Sequence, residues 1–167
     1  INCIKKTNAT KTLNEIKNII NVQIDENSVH KSYNILEHSK FLNNLNEIKN
    51  ILLFFEIKIP RNLNNTILSM TSLLGTYMHN DLSLPLFNGC NNNHNTQIQK
   101  IIEKEQFLKN VIFKEFKNGI AVYKDISKTL FFDVVQHTGL GICKELSAGT
   151  LSLEISADNE KIITNCG

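Results

Sequence analysis

The sequence predicts an α+β fold, with helices before about residue 110 and an antiparallel sheet after it. Three observations carry this. Up to Tyr77, apolar residues recur at three- and four-residue spacing, the period of a helix with one buried face. From Val111 onward the period shortens to two, with β-branched and aromatic residues between turn signals. The last stretch, Ser147 to Gly167, reads as a β-hairpin. In it Leu151, Leu153 and Ile155 alternate with Ser152, Glu154 and Ser156 around an Ala157-Asp158-Asn159-Glu160 turn. Alternation with leucines predicts a buried leucine face and a solvent-facing Glu154.

The elements follow in order. Leu13, Ile16 and Ile20 share one face of a short helix over Lys11–Asn21, with Thr10 or Thr12 as cap. A polar loop around Asp25-Glu26-Asn27 leads to a long helix from about Tyr33 to Ile57. Its stripe is Leu42, Leu45, Ile48, Leu52 and Phe55, widened by Phe41 and Ile51. Pro60 ends the connection, and a third helix opens at Asn62 or Asn64 with Leu63, Ile67, Met70, Leu74 and Tyr77 on its face. Two long helices joined by a short turn make an antiparallel hairpin. Residues 78–89 leave the helical period and end in an Asn88-Gly89 turn signal. An Asn-rich loop over 90–95 precedes a short helical pattern over 96–107. Val111–Phe113, Gly119–Tyr123 and Thr129–Val135 read as strands, with Asp125–Lys128 as the turn between the last two.

Composition bounds the function. The 167 residues suffice for one domain or parts of two, and 41% hydrophobic content excludes global disorder. A net charge of +2 gives no electrostatic case for nucleic acid. The longest apolar run, Ile51–Phe55, is far shorter than the ~20 residues that span a bilayer. Cys3, Cys90, Cys143 and Cys166 have no metal-ligand spacing and read as buried thiols, with no metal and no cofactor implied. The chain begins at Ile1 and stops at Gly167 directly after a strand, so it reads as a piece of a larger protein.

Four stretches, taken together, resemble the heparinase II/III-like family of polysaccharide lyases. Asp25-Glu26-Asn27-Ser28-Val29-His30-Lys31-Ser32 stands where the family has a DGGHxxRS-like loop. Tyr77-Met78-His79-Asn80-Asp81, leading into Leu86-Phe87-Asn88-Gly89, is similar to FRHGDGGLALFNG. Ser147-Ala148-Gly149-Thr150-Leu151-Ser152-Leu153-Glu154 is similar to HAGxLSFE, and Ile162 to Gly167 to LVVNCG or LLVDPG. The resemblance implies the end of an α/α toroid over 1–110 and the first strands of a β-sandwich over 111–167. It implies β-elimination on uronate-containing polysaccharides, with an acidic polysaccharide as partner and a bacterial periplasm or cell envelope as setting. The family's motif histidine is Ser147 here and the aspartate of VDPG is Asn165. In zinc-bearing members those positions are ligands, so no zinc is expected here.

On this reading His79 is the candidate catalytic residue, and His30, Lys31 and Asn88 the candidate substrate contacts. Lys31 would meet a uronate or sulfate as a point charge, and Asn88 would donate to a carboxylate. Plainer readings stand beside these. His30, Lys31 and Tyr33 also fit a solvated loop at a helix entrance. His79 also fits a histidine beside a helix C-terminus. His137 could stand in for the lost motif histidine, whereas His38 and His94 read as surface residues. Phe54, Phe55, Phe131 and Phe132 read as core. Two further function classes remain: a non-catalytic glycan-binding or scaffold relative of the same fold, and an unrelated protein-interaction domain.

Overall fold

The computed structural model of the protein describes residues 2–87, 89–90, 113–117, 119–134 and 151–165. Three helices come first among them: α1 (Asn2–Gln23), α2 (Ile35–Phe54) and α3 (Arg61–Thr76). Five strands follow: β1 (Phe113–Lys117), β2 (Ile120–Lys124), β3 (Lys128–Asp133), β4 (Leu153–Ala157) and β5 (Glu160–Ile163). Helices then sheet is the α+β order expected. The expected helix over 96–107, the Asn-rich loop and the boundary near residue 110 lie outside the described residues.

The helix α1 starts at Asn2, well before Lys11. No Gly or Pro interrupts the stretch, so nothing stops the helix extending backwards. Helix α2 begins at Ile35 because Asn34 caps it. Its Oδ1 accepts from the N–H groups of Leu36 (2.8 Å) and Glu37 (3.2 Å). The other end closes as a Schellman turn: Ile57 N–H donates to Leu52 O at 2.8 Å and Glu56 N–H to Leu53 O at 3.0 Å. Glu56 occupies the left-handed position usually given to glycine, at φ 54°. Pro60, with φ already at −61°, then leads directly into α3.

The α2–α3 hairpin packs as the periodicity predicts except at Ile51, expected to widen the buried stripe but exposed, and at the C-terminal phenylalanines of α2. Leu42, Leu45 and Leu52 meet Leu63, Ile67, Met70 and Leu74, all buried. Each such side chain contributes roughly 1.5–3 kcal/mol of transfer free energy. Phe54 and Phe55 correct the core assignment: they are 81% and 64% exposed and stack edge-to-face on each other at 5.1 Å. Phe54 lies about 200° round the helix from buried Leu52 at ~100° per residue. Phe55 sits past the last turn, where the chain is already reversing.

The sheet is an antiparallel meander in the order β1-β2-β3-β4-β5. Asp125 makes the β2–β3 turn as expected, its Oδ1 accepting from Ser127 and Lys128 N–H groups. Register pairs Val122 with Phe131 and Phe131 with Glu154 on the face turned toward the helices. Thr129 opposes Ser156 on the same face. One buried cluster therefore runs from Leu42 and Ile67 through Tyr77, Met78, Leu84 and Phe87 to Ile120, Val122 and Phe131.

The strand β4 reverses the expected facing. Glu154 and Ser156 are buried, while Leu153 and Ile155 are half-buried and Leu151 is 65% exposed. The segment 78–87, which leaves α3 and crosses the sheet, covers the polar side of β4 rather than the leucine side. Leu130, Phe132, Leu153 and Ile155 thus share the outer, half-buried face.

Candidate functional site

The segment 78–87 is tied to the sheet by side chains from β2, β3, β4 and the chain after β5. Lys124 Nζ donates to Met78 O at 2.7 Å, and burial lowers the pKa of that ammonium. Thr129 Oγ1 donates to Asn80 Oδ1 at 3.3 Å. Within the segment, Leu82 takes a left-handed φ of 64°, and Asp81 Oδ1 accepts from both the N–H and the hydroxyl of Ser83. Burial pushes the Asp81 carboxyl up, but the two Ser83 hydrogen bonds outweigh it and the pKa falls below its ordinary value.

At the centre are His79 and Glu154, 75 residues apart in sequence, with fully buried side chains. His79 Nε2 lies 2.9 Å from Glu154 Oε2, and His79 Nδ1 lies 2.7 Å from Ser156 Oγ. Phe131 packs its ring edge-on against the imidazole at 4.8 Å. The other carboxylate oxygen, Glu154 Oε1, accepts from Leu86 N–H (2.7 Å) and Asn165 N–H (3.3 Å). Asn165 Nδ2 in turn donates to Leu86 O at 2.8 Å. Lys161 Nζ stands 3.8 Å from Glu154 Oε2 and completes the charge balance from the β5 side. A buried carboxylate survives only with such partners, since an unpaired one would cost several kcal/mol.

Ser156, His79 and Glu154 have the residue types and the linear order of a nucleophilic triad. The burial decides against that chemistry. Ser156 is 2% exposed and His79 1%, so no substrate carbonyl reaches the hydroxyl in this arrangement. What the trio does here is clamp the exit of α3 and the segment after it onto β4.

A second buried cluster fixes the loop before α2. Asp25 Oδ1 accepts from the N–H groups of Asn27 and Val29, and Ile24 bridges His30. His30 Nε2 donates to Gln23 Oε1 at 2.8 Å, leaving Nδ1 to accept from Ser32 N–H at 3.2 Å. Its ring tilts against Phe41 at 5.7 Å, and burial lowers its pKa against the opposing charge of Glu37. His38 is a correction to the surface reading. It is 3% exposed, its Nε2 donates to Met70 O at 2.9 Å, and its Nδ1 accepts from His30 N–H at 3.4 Å. With both nitrogens engaged in the neutral form, burial drives its pKa down to about 4. Tyr33, Asn34, His38, Tyr77 and Ile120 line a small cleft where this loop meets the sheet.

The predicted site residues that are described fall in two places, the loop before α2 and the buried clamp. His30 and Lys31 sit on the loop before α2, with Lys31 Nζ donating to Asn21 O at 3.0 Å. His79 is in the buried clamp. Asn88, His94, His137 and Ser147 lie outside the described residues, as do Cys143 and Cys166. Cys90 is a buried thiol. Among the described residues no group of three His, Cys, Asp or Glu side chains is arranged to hold a metal ion, and no helix is long and apolar enough to cross a membrane. Sequence reasoning missed Glu154 and Ser156. Their signal was the polar side of an otherwise apolar alternation, two residues apart, which is one face of a strand.

The class defined by this architecture is α+β: a helical hairpin that delivers a clamped segment across an antiparallel meander. No protein-family model matches the sequence, and no curated protein matches it. Among solved structures the fold is similar to that of heparan sulfate lyase HepC from Pedobacter heparinus. The TM-score is 0.64 at 12% identity over 90% of this chain. A mutant of that lyase aligns with a TM-score of 0.65 at 11% identity. This chain spans 27% of the length of the lyase chain. At such identity the likeness shows the fold alone.

Proposed function

We propose that this chain belongs to a polysaccharide-lyase-like protein that engages an acidic, uronate-containing glycan. The observation that carries this is the likeness to heparan sulfate lyase, which covers 90% of the chain and so includes both the helices and the sheet. On this proposal α1–α3 are the end of an α/α toroid and β1–β5 the start of a β-sandwich. The apolar outer face of the sheet, with Leu130, Phe132, Leu153 and Ile155, supports a second sheet packed there. Lys31 and Asn88 are the proposed glycan contacts, with His30 holding the Lys31 loop. A bacterial periplasm or cell envelope is the compartment that suits such a substrate.

β-Elimination requires neutralisation of the uronate carboxylate, a base for the C5 proton and an acid for the leaving oxygen. The burial of His79 supports a role for it in orientation rather than proton transfer, and on this proposal proton transfer falls to other residues of the parent protein. The same observation supports the second reading, a non-catalytic glycan-binding relative: both histidines near the proposed contacts, His30 and His79, spend their ring nitrogens on internal hydrogen bonds. The test is ultraviolet absorbance of the unsaturated uronate product when the full-length parent meets heparan sulfate and other uronate polysaccharides. A rise that Lys31→Ala or Asn88→Ala diminishes supports the lyase. No rise with glycan still bound supports the non-catalytic relative. No rise and no binding overturns both.

A further inference from the structure

We propose that Glu154 is a positioning residue that sets the protonation of the His79 ring, placing the proton on Nε2, and through it the orientation of the segment leaving α3. The argument is one of donors and acceptors. An ionised carboxylate only accepts. Glu154 Oε1 is taken by two backbone N–H groups, from Leu86 and Asn165. Glu154 Oε2, 2.9 Å from His79 Nε2, therefore requires a proton on that nitrogen. His79 Nδ1 then stands 2.7 Å from a hydroxyl that can turn to suit it. The main chain of His79 is held as well: its N–H donates to Ser83 O at 2.9 Å and Leu82 N–H donates to His79 O at 3.0 Å.

The same geometry dictates what a glutamine does. In Glu154→Gln the side-chain oxygen must stay toward the Leu86 and Asn165 N–H groups, because turning the amide would set its NH₂ against two donors. The NH₂ then faces His79 Nε2, which has to become an acceptor. The ring proton moves to Nδ1 and is donated to Ser156 Oγ, with the fold retained. Removing only the hydroxyl, in Ser156→Ala, leaves the carboxylate and hence the Nε2 proton in place.

Nitrogen-15 NMR of the histidine rings in the full 167-residue chain at neutral pH tests this. The expected result is a proton on His79 Nε2 in the native chain and in Ser156→Ala, and its loss from Nε2 in Glu154→Gln. A native His79 protonated on Nδ1 alone overturns the proposal, as does an Nε2 proton that persists in Glu154→Gln. If Glu154→Gln fails to fold, the native chain and Ser156→Ala decide: both must carry the Nε2 proton. The proposal extends the glycan reading only in that the segment so positioned leads to Asn88. Heparan sulfate titrated into the full-length parent separates the two, because intact ring protonation in the chain with no glycan binding by the parent sinks the glycan reading alone.

Discussion

Acidification is predicted to loosen this fold through His38. Burial lowers its pKa from the ordinary 6.5 to about 4, and both ring nitrogens are committed to the neutral form. Between those values the unfolded chain binds a proton that the folded chain does not. The stabilisation is therefore complete above pH 6.5 and is lost as the pH falls toward 4. From pH 7 to pH 5 the loss works out at about 2 kcal/mol, and by pH 4 at about 3 kcal/mol. His30, whose pKa burial also lowers, adds a smaller loss of the same sign. Asp81 and Asp125, held below their ordinary 3.8, add a loss of the same sign only below about pH 5 and so do not enter the comparison of pH 7 with pH 5. In urea, with a slope of about 2 kcal/mol per molar, the midpoint should fall by about 1 M between pH 7 and pH 5. His38→Gln keeps a donor and an acceptor but cannot titrate, so most of that fall should disappear in it, whatever its own baseline stability. An equal fall in the native chain and His38→Gln would refute the assignment.

Other outcomes follow from single contacts. Asn34→Ala removes the acceptor for two N–H groups at the start of α2 and should cost about 1 kcal/mol in urea denaturation. Glu154→Ala leaves His79 and two backbone N–H groups buried without their acceptor, and should cost roughly 3–5 kcal/mol in the same assay. Phe54→Ser with Phe55→Ser should shift the unfolding free energy by no more than about 0.5 kcal/mol per site, because both rings are exposed. Light scattering should show less self-association in that double variant.

Much of the helical part was legible because its contacts are local. Leu42, Leu45 and Leu52 and the Leu63–Leu74 stripe repeat at the period of the helix that buries them. The Asp125 turn was legible because its hydrogen bonds span two and three residues. The start of α2 became clear only with the Asn34 cap, and its end only with the turn that throws Phe54 and Phe55 into solvent. The facing of β4 was not legible. Alternation separates two faces but does not say which is covered, and here the cover comes from His79 and Leu86, 75 and 68 residues away. A polar face can be the buried one when the segment above it supplies partners. The same holds for His38, whose partner Met70 is 32 residues along the chain. Candidate contacts chosen by residue type, such as His30 and His79, were read without that knowledge of what each ring nitrogen meets.

The most direct test of the glycan account is calorimetric titration of the full-length parent with heparan sulfate, beside an uncharged polysaccharide of similar length. The account predicts binding of heparan sulfate that weakens as salt rises and falls in Lys31→Ala, with the uncharged chain silent. Equal binding of both polysaccharides, or binding of neither, would contradict it.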